Sequence, residues 1–250
     1  MTMDLPALLM IWRRDLIRLS RDRAQIAGSL ARPILWLLVL GFGMGSVFPG
    51  FGGRPYIEYL FPGIIAMNLL FASFLSAISI IWDREFGFLK EMLVAPISRV
   101  SIALGKAASG GTVAALQGCL VLAFIPIVGV SISPWRLAAA LPVMLLISFS
   151  MTSLGLLVAS RMTSFEGFGT IANFVIMPMF FLSGAVFPLT TAPRPLQIIA
   201  LINPLSYGVD ALRGIFLGIR QFPLGLDLGI LLLFAAVTVS GAVWAFCRRL

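Results

Sequence analysis

Apolar residues run in six long blocks: Pro33 to Phe51, Phe61 to Ile81, Ala107 to Val128, Leu137 to Ala159, Phe168 to Phe187, and Leu224 to Phe246. A hydrocarbon core about 30 Å thick is crossed by roughly 20 mainly apolar residues in one helix, so each block predicts a span. The first is the weakest, with Gly41, Gly43 and Gly45 inside it and Arg32 just before it. Between the last two blocks, Leu182 to Gly218 fits neither a span nor a loop. It is apolar, yet broken by Pro188, Pro193, Pro195 and Pro204, and it carries Arg194, Asp210 and Arg213. Irregular backbone at membrane depth is tolerated only against protein or a watery cavity. That predicts a re-entrant helical segment over 188–222.

Ahead of the blocks, Leu5, Leu8, Leu9, Trp12, Leu16 and Leu19 recur at helical spacing, with Arg14, Arg18 and Arg21 on the opposite face. Such a stripe predicts an amphipathic interfacial helix within residues 1–30, apolar side in the acyl boundary and arginines at the headgroups. Ile11 and Ile17 fall off the stripe. An ordinary basic anchor for the first span is the alternative. The fold class is therefore all-α integral membrane, a single domain of residues 1–250 with six transmembrane helices.

Composition agrees: 60% of residues are hydrophobic, 11% are charged, and mean hydropathy is +1.04. Soluble domains carry about 25% charge. The net charge of +8 does not point to nucleic acid, because the basic residues flank apolar blocks instead of forming a stripe. Placing the amino terminus in the cytoplasm puts 13 of the 18 basic residues on inner segments, as the positive-inside rule requires. Both termini are then cytoplasmic, and the broken segment lies outside. No cleavable signal peptide is evident. Cys119 and Cys247 read as small buried hydrophobes.

The chain has no histidine, which excludes imidazole acid–base chemistry and imidazole metal ligation. Its acids lie in termini, connections or span edges, whereas ion-coupled carriers place ionisable groups inside the bundle. Asn68, Gln117 and Asn173 in the spans suit interhelical hydrogen bonds. The halves show no internal repeat of the kind found in inverted-repeat carriers. Gly105-Lys106 lacks the glycine spacing and following hydroxyl of a phosphate loop. Lys106 reads as a snorkelling anchor. An enzyme acting on lipids would need clustered Asp, Glu, His or Cys, which is absent. A bundle without an engine implies that any energy comes from a partner.

The loop over 82–100 is where a partner fits. Asp83 to Arg99 mixes both charge signs with Phe86, Phe88, Leu89, Met92 and Leu93, a short helix able to fill a groove on another protein. Pro96 ends it. An interfacial helix touching only lipid is the alternative.

These residues bring the chain to a family. It resembles the membrane subunits of type 2 ATP-binding-cassette exporters, which handle drugs, polyketides, lipo-oligosaccharides and lipid-linked glycans. Three blocks carry the likeness: Arg84-Glu85 through Pro96-Ile97-Ser98; Leu104-Gly105-Lys106; and Phe181-Leu182-Ser183-Gly184 through Phe187-Pro188, Asn203-Pro204-Leu205-Ser206-Tyr207 and Asp210-Ala211-Leu212-Arg213-Gly214. One departure stands in the loop, where Phe88 follows Gly87 and the family often has Thr.

The resemblance implies a half-transporter in the bacterial plasma or inner membrane, exporting an amphipathic drug, lipid or lipid-linked glycan. Two such subunits, identical or paired with a sister permease, would join two cytoplasmic ABC ATPases among membrane lipids. The chain itself would hold no cofactor or metal and no catalytic residue; ATP and magnesium would sit on the partner. Arg84, Glu85, Phe86, Gly87, Phe88, Lys90, Glu91 and Pro96 would form the coupling helix, with Phe86 and Phe88 as apolar knobs. Gly184, Pro188, Asn203, Pro204, Tyr207, Asp210 and Arg213 would form the outer gate, with Asp210 and Arg213 placed to pair. The rival reading is an ion-coupled multidrug carrier or channel without an ATPase.

Overall fold

In a computed structural model of the chain, the described residues are 4–45, 50–51, 53–88, 92, 94, 97–162 and 164–249, with side chains described through 246. Helix α1 (Leu5–Arg21) begins after Asp4, with Pro6 in its first turn, where the missing N–H costs no helical bond. Asp22 ends it and starts the next helix: its side chain accepts from Gln25 N at 2.9 Å. Helix α2 (Arg23–Trp36) runs through Pro33 into a π-helical stretch, Leu37–Phe42. Pro33 supplies no N–H to the ladder, the kind of defect beside which a widened turn is tolerated.

Helices α3 (Tyr56–Ala77) and α4 (Ser79–Glu85) meet at Ile78 and form one rod. Next come α5 (Arg99–Val121), a tight turn at Leu122–Phe124 and the short α6 (Ile125–Val128). Helices α7 (Pro134–Ala159) and α8 (Phe165–Phe181) precede the broken segment. That segment holds α9 (Arg194–Ile202) and α10 (Pro204–Leu217), and α11 (Leu224–Arg249) ends the chain.

Among the described residues, five stretches are long and apolar enough to cross a membrane: Arg23–Phe42, Tyr56–Glu85, Arg99–Val128, Pro134–Ala159 and Leu224–Phe246. The expected fifth crossing, α8, has 17 residues and spans about 25 Å at 1.5 Å per residue. The first long helix starts ten positions before the expected Pro33, so Arg32 lies inside it and not ahead of it.

Helix α3 is the central post, buried almost all round and packed on α2, α5, α7, α8 and α10. Among lipid tails apolar contact alone does not drive assembly; close backbone approach and interhelical hydrogen bonds do. Ser73 Oγ donates to Ser148 O (3.1 Å) and Ser150 Oγ to Leu231 O (3.2 Å), tying α7 to α3 and α11. Gly111 on α5 lies against the Phe149 backbone, where a Cβ would sit 3.0 Å from Cα.

The two ends of the bundle differ in content. At the near end, Asp4 N donates to Ser101 Oγ (2.7 Å) and Arg99 Nη1 to Phe246 O (3.4 Å). Helix α1 and the close of α11 therefore share that end with α4. At the far end, Tyr56 Oη donates to Val186 O (3.0 Å).

The amino-terminal helix is present but stops at Arg21, short of the expected residue 30. It packs along α5, and the side chains it buries are Ile11 and Leu19. Ile11, off the apolar stripe, fills the space left by Gly105, while Leu5 and Leu9 stay exposed. The best-buried face follows the neighbouring helix, not the strongest run of leucines.

Candidate coupling site and outer segment

Three elements converge at the near end on four charges. Arg14 and Asp15 come from α1, Asp83 from α4 and Lys106 from α5. Arg14 Nη2 lies 2.8 Å from Asp15 Oδ1 and 3.1 Å from Asp83 Oδ2. Lys106 Nζ pairs with Asp83 and lies 3.3 Å from Asp15 Oδ2. Ser109 Oγ donates to Asp15 (2.7 Å), and Lys106 donates to Ser79 Oγ (3.3 Å). Lys106 is only 2% exposed, so the expected snorkelling anchor instead turns inward. Gly105 lets α1 approach, and the next residue reaches its carboxylate.

Burial resists ionisation of Asp15, but Lys106, Arg14 and the Ser109 hydrogen bond outweigh it and hold the carboxyl below its ordinary range. Burial likewise opposes the Arg14 charge, and Asp15 and Asp83 more than restore it. Two acids and two bases are mutually satisfied, the condition under which buried charge is tolerated.

The loop residues divide around this cluster. Phe88 is half-buried, with the Arg14 guanidinium 4.4 Å from its ring centroid. Met92, expected to be available, is buried. Arg84 donates to Met162 O (2.7 Å) and Ser160 O (3.4 Å), using its guanidinium on carbonyls just past α7. Trp82 stacks edge-on with Phe165 at 5.1 Å. Glu85 and Phe86 face outward, Phe86 at 73% exposure, followed by Gly87 at φ +78. Val94, not singled out in the sequence, is 87% exposed. Lys90, Glu91 and Pro96 lie outside the described residues.

At the far end a turn follows α8, with Gly184 at φ +75. It rests on α3, where a Cβ at Gly63 would sit 2.5 Å from Ala185 O. Asn203 marks the break between α9 and α10. Its Oδ1 accepts from Leu205 N (3.1 Å) and its Nδ2 donates to Met179 O (2.7 Å), while Pro204 opens α10. Tyr207 Oη donates back across the break to Leu201 O (2.7 Å). Pro188 begins the tight turn Leu189–Thr191.

The expected Asp210–Arg213 ion pair does not form. Asp210 accepts from Gln221 N (2.9 and 3.0 Å) and Phe222 N (2.9 Å). Arg213 donates to Gly184 O (2.8 Å) and lies 4.0 Å from the Tyr59 ring centroid. Backbone groups left over by the turns were the nearer partners.

Polar groups also enter the spans. Gln25, Ser29, Arg32, Asn68 and Gln117 line a cavity of about 190 Å³, with Arg32 3.9 Å over Phe71. A cleft of about 340 Å³ beneath α1 shares Gln25 and Leu75 with it. Asp227, near the start of α11, is fully buried and neither carboxylate oxygen is hydrogen-bonded. Asp227 stands in the first turn of α11, a span edge as expected, but is buried there, while Arg32 lies inside the first long helix and not ahead of it.

The ABC-2 type transporter family matches residues 6–217. The chain is 32% identical over 244 residues to nodulation protein J of Rhizobium meliloti (strain 1021), covering 96% of this chain and 92% of that one. It is 28% identical over 252 residues to the inner membrane transport permease YadH of Escherichia coli (strain K12), covering 97% and 95%. A putative transport permease, ycf38, of Cyanophora paradoxa is 28% identical over 213 residues, covering 84% and 73%.

Proposed function

The chain belongs to the ABC-2 type transporter family, and we propose that it is the permease half of an exporter that moves an amphipathic substrate outward on ATP hydrolysed by a partner. The family, with relatives named as transport permeases, supports a multi-pass membrane permease subunit of an ABC transporter and implies an ABC ATPase partner. Beyond this we propose six crossings with α8 as the fifth, both termini cytoplasmic, two permeases, two ATPases, and ATP with magnesium held by the latter.

One observation carries it. Helix α4, which leads into the exposed Glu85 and Phe86, is ionically bound through Asp83 to α1 and α5. A push delivered there reaches a span through paired charges instead of dissipating in a loose loop. The cavity at Arg32, Asn68 and Gln117 supports a substrate with a polar head, because hydrogen-bonding groups are costly in a span unless something uses them. On this reading α9 and α10 close the outer mouth. The test is co-purification with candidate ATPases and measurement of stimulated ATP hydrolysis. Failure to assemble with any of them sinks the reading.

Asp227 favours a second reading, an ion-coupled carrier. Transport that collapses with an uncoupler while ATP is held constant would establish it.

A further inference from the structure

We infer that the far-side groove between α7, α10 and α11 is a site for one anionic phospholipid. The groove has a volume of about 580 Å³. Its walls come from single helix faces: Ala139, Pro142, Val143 and Leu146 on α7, and Leu224, Leu228 and Leu232 on α11, with Ile215 of α10 behind. Two guanidiniums, Arg136 and Arg220, line it together with Trp135, and among its described lining residues none is acidic.

Geometry matches a lipid in depth as well as in charge. Arg136 stands in the first turn of α7 and Arg220 in the connection before α11, so both lie at the far-side boundary. From there to Leu146, α7 descends about 15 Å at 1.5 Å per residue, half of a core about 30 Å thick. An acyl chain reaching the mid-plane matches that run, and a phosphate would meet the guanidiniums that line the far-side end of the groove. Trp135, exposed beside Arg136, sits where aromatic side chains meet headgroups.

Gly214 explains how Arg220 comes to be there. A Cβ on Gly214 would collide with the Arg220 side chain, which lies directly over the α10 backbone. Arg220 is also within electrostatic reach of Asp227, so its charge is shared, whereas Arg136, beside Trp135, has no acidic partner among the groove's lining residues. The inference does not depend on the ATPase-driven reading, since a carrier would hold the same lipid.

Native mass spectrometry of the full-length protein released from nanodiscs tests it, with phosphatidylglycerol and phosphatidylcholine of identical chains as probes. Wild-type protein should retain phosphatidylglycerol preferentially. Arg136→Gln should cut that preference about fivefold, the order expected for one basic side chain at a charged lipid surface. Ala139→Trp, which keeps both arginines but fills the groove, should lower retention of both lipids. Arg136 is partly exposed, so its substitution leaves the bundle intact, and unchanged melting confirms this. Equal retention of the two lipids by wild-type protein, or an unchanged preference in Arg136→Gln, overturns the assignment. So does a change in subunit number without a change in lipid count, which would assign the groove to a second copy of the chain.

Discussion

Two groups of buried charges, one at each end of the bundle, are satisfied in opposite ways. In the near-end cluster charges meet charges: Asp15 and Asp83 lie between Arg14 and Lys106, and their side chains join three separate elements. In the far-end segment that holds Asp210 and Arg213, charges meet backbone: Arg213 holds Gly184 O, and Asp210 holds two consecutive N–H groups. Side-chain networks link elements that can shift together as one body. Backbone clamps fix the path of a single irregular loop. The first suits transmission, and the second suits a lid that keeps its shape.

The largest effect is expected where the contrast is sharpest. Lys106→Met leaves Asp83 and Asp15 with Arg14 alone and should cost about 3–5 kcal/mol, because a buried charge loses its partner. Thermal unfolding in detergent measures it, and Lys106→Arg should recover part of the loss. Asp210→Asn should cost about 2 kcal/mol through weakened bonds to Gln221 and Phe222, with faster proteolysis in that connection. An Asp210→Asn loss as large as that of Lys106→Met would erase the distinction.

Gly63→Ala should cost about 1–3 kcal/mol, since the new methyl meets Ala185 backbone and not a side chain that can turn away. Smaller still is the effect of pH on α1. The Asp15 carboxyl is lowered in the folded state, so the unfolded chain binds more protons between the folded value and the ordinary 3.8. The stabilisation is complete above that ordinary value and fades as pH falls through the lowered one. Protease cleavage around Asp22 should rise in that acid window in wild type and stay flat in Asp15→Asn. Phe86→Ala should change stability by less than about 0.5 kcal/mol, yet reduce recovery of a partner ATPase. Undiminished recovery would remove Phe86 from the contact.

Much of the helical plan was legible because apolar length and proline breaks act locally. The stop at Asn203-Pro204 and the short helices around it follow from one side chain that caps and one residue that cannot donate. The near-end cluster was not legible, because nothing in the spacing of Asp15, Asp83 and Lys106 states that three distant segments meet. Its faint signal was Gly105-Lys106: a residue with no side chain to separate helices, followed by one long enough to bridge them. Arg84 looked like a surface contact because sequence cannot show the α7 carbonyls beside it. Asp210 and Arg213 stood at pairing distance along a helix, but closer backbone partners were supplied by Gln221, Phe222 and Gly184.

By itself the sequence determined that the chain is a helical membrane protein, roughly where four of its long helices run, and which segment is broken into short helices. Those follow from the energy of placing apolar and polar groups in hydrocarbon, a property each segment carries alone. Only the tertiary structure decided which charges turn inward, which face of α1 is covered, and what partners Arg84, Lys106, Asp210 and Arg213 take. A buried ion or hydrogen bond is settled by the nearest group able to satisfy it, and nearness in space is made by the packing of the whole bundle.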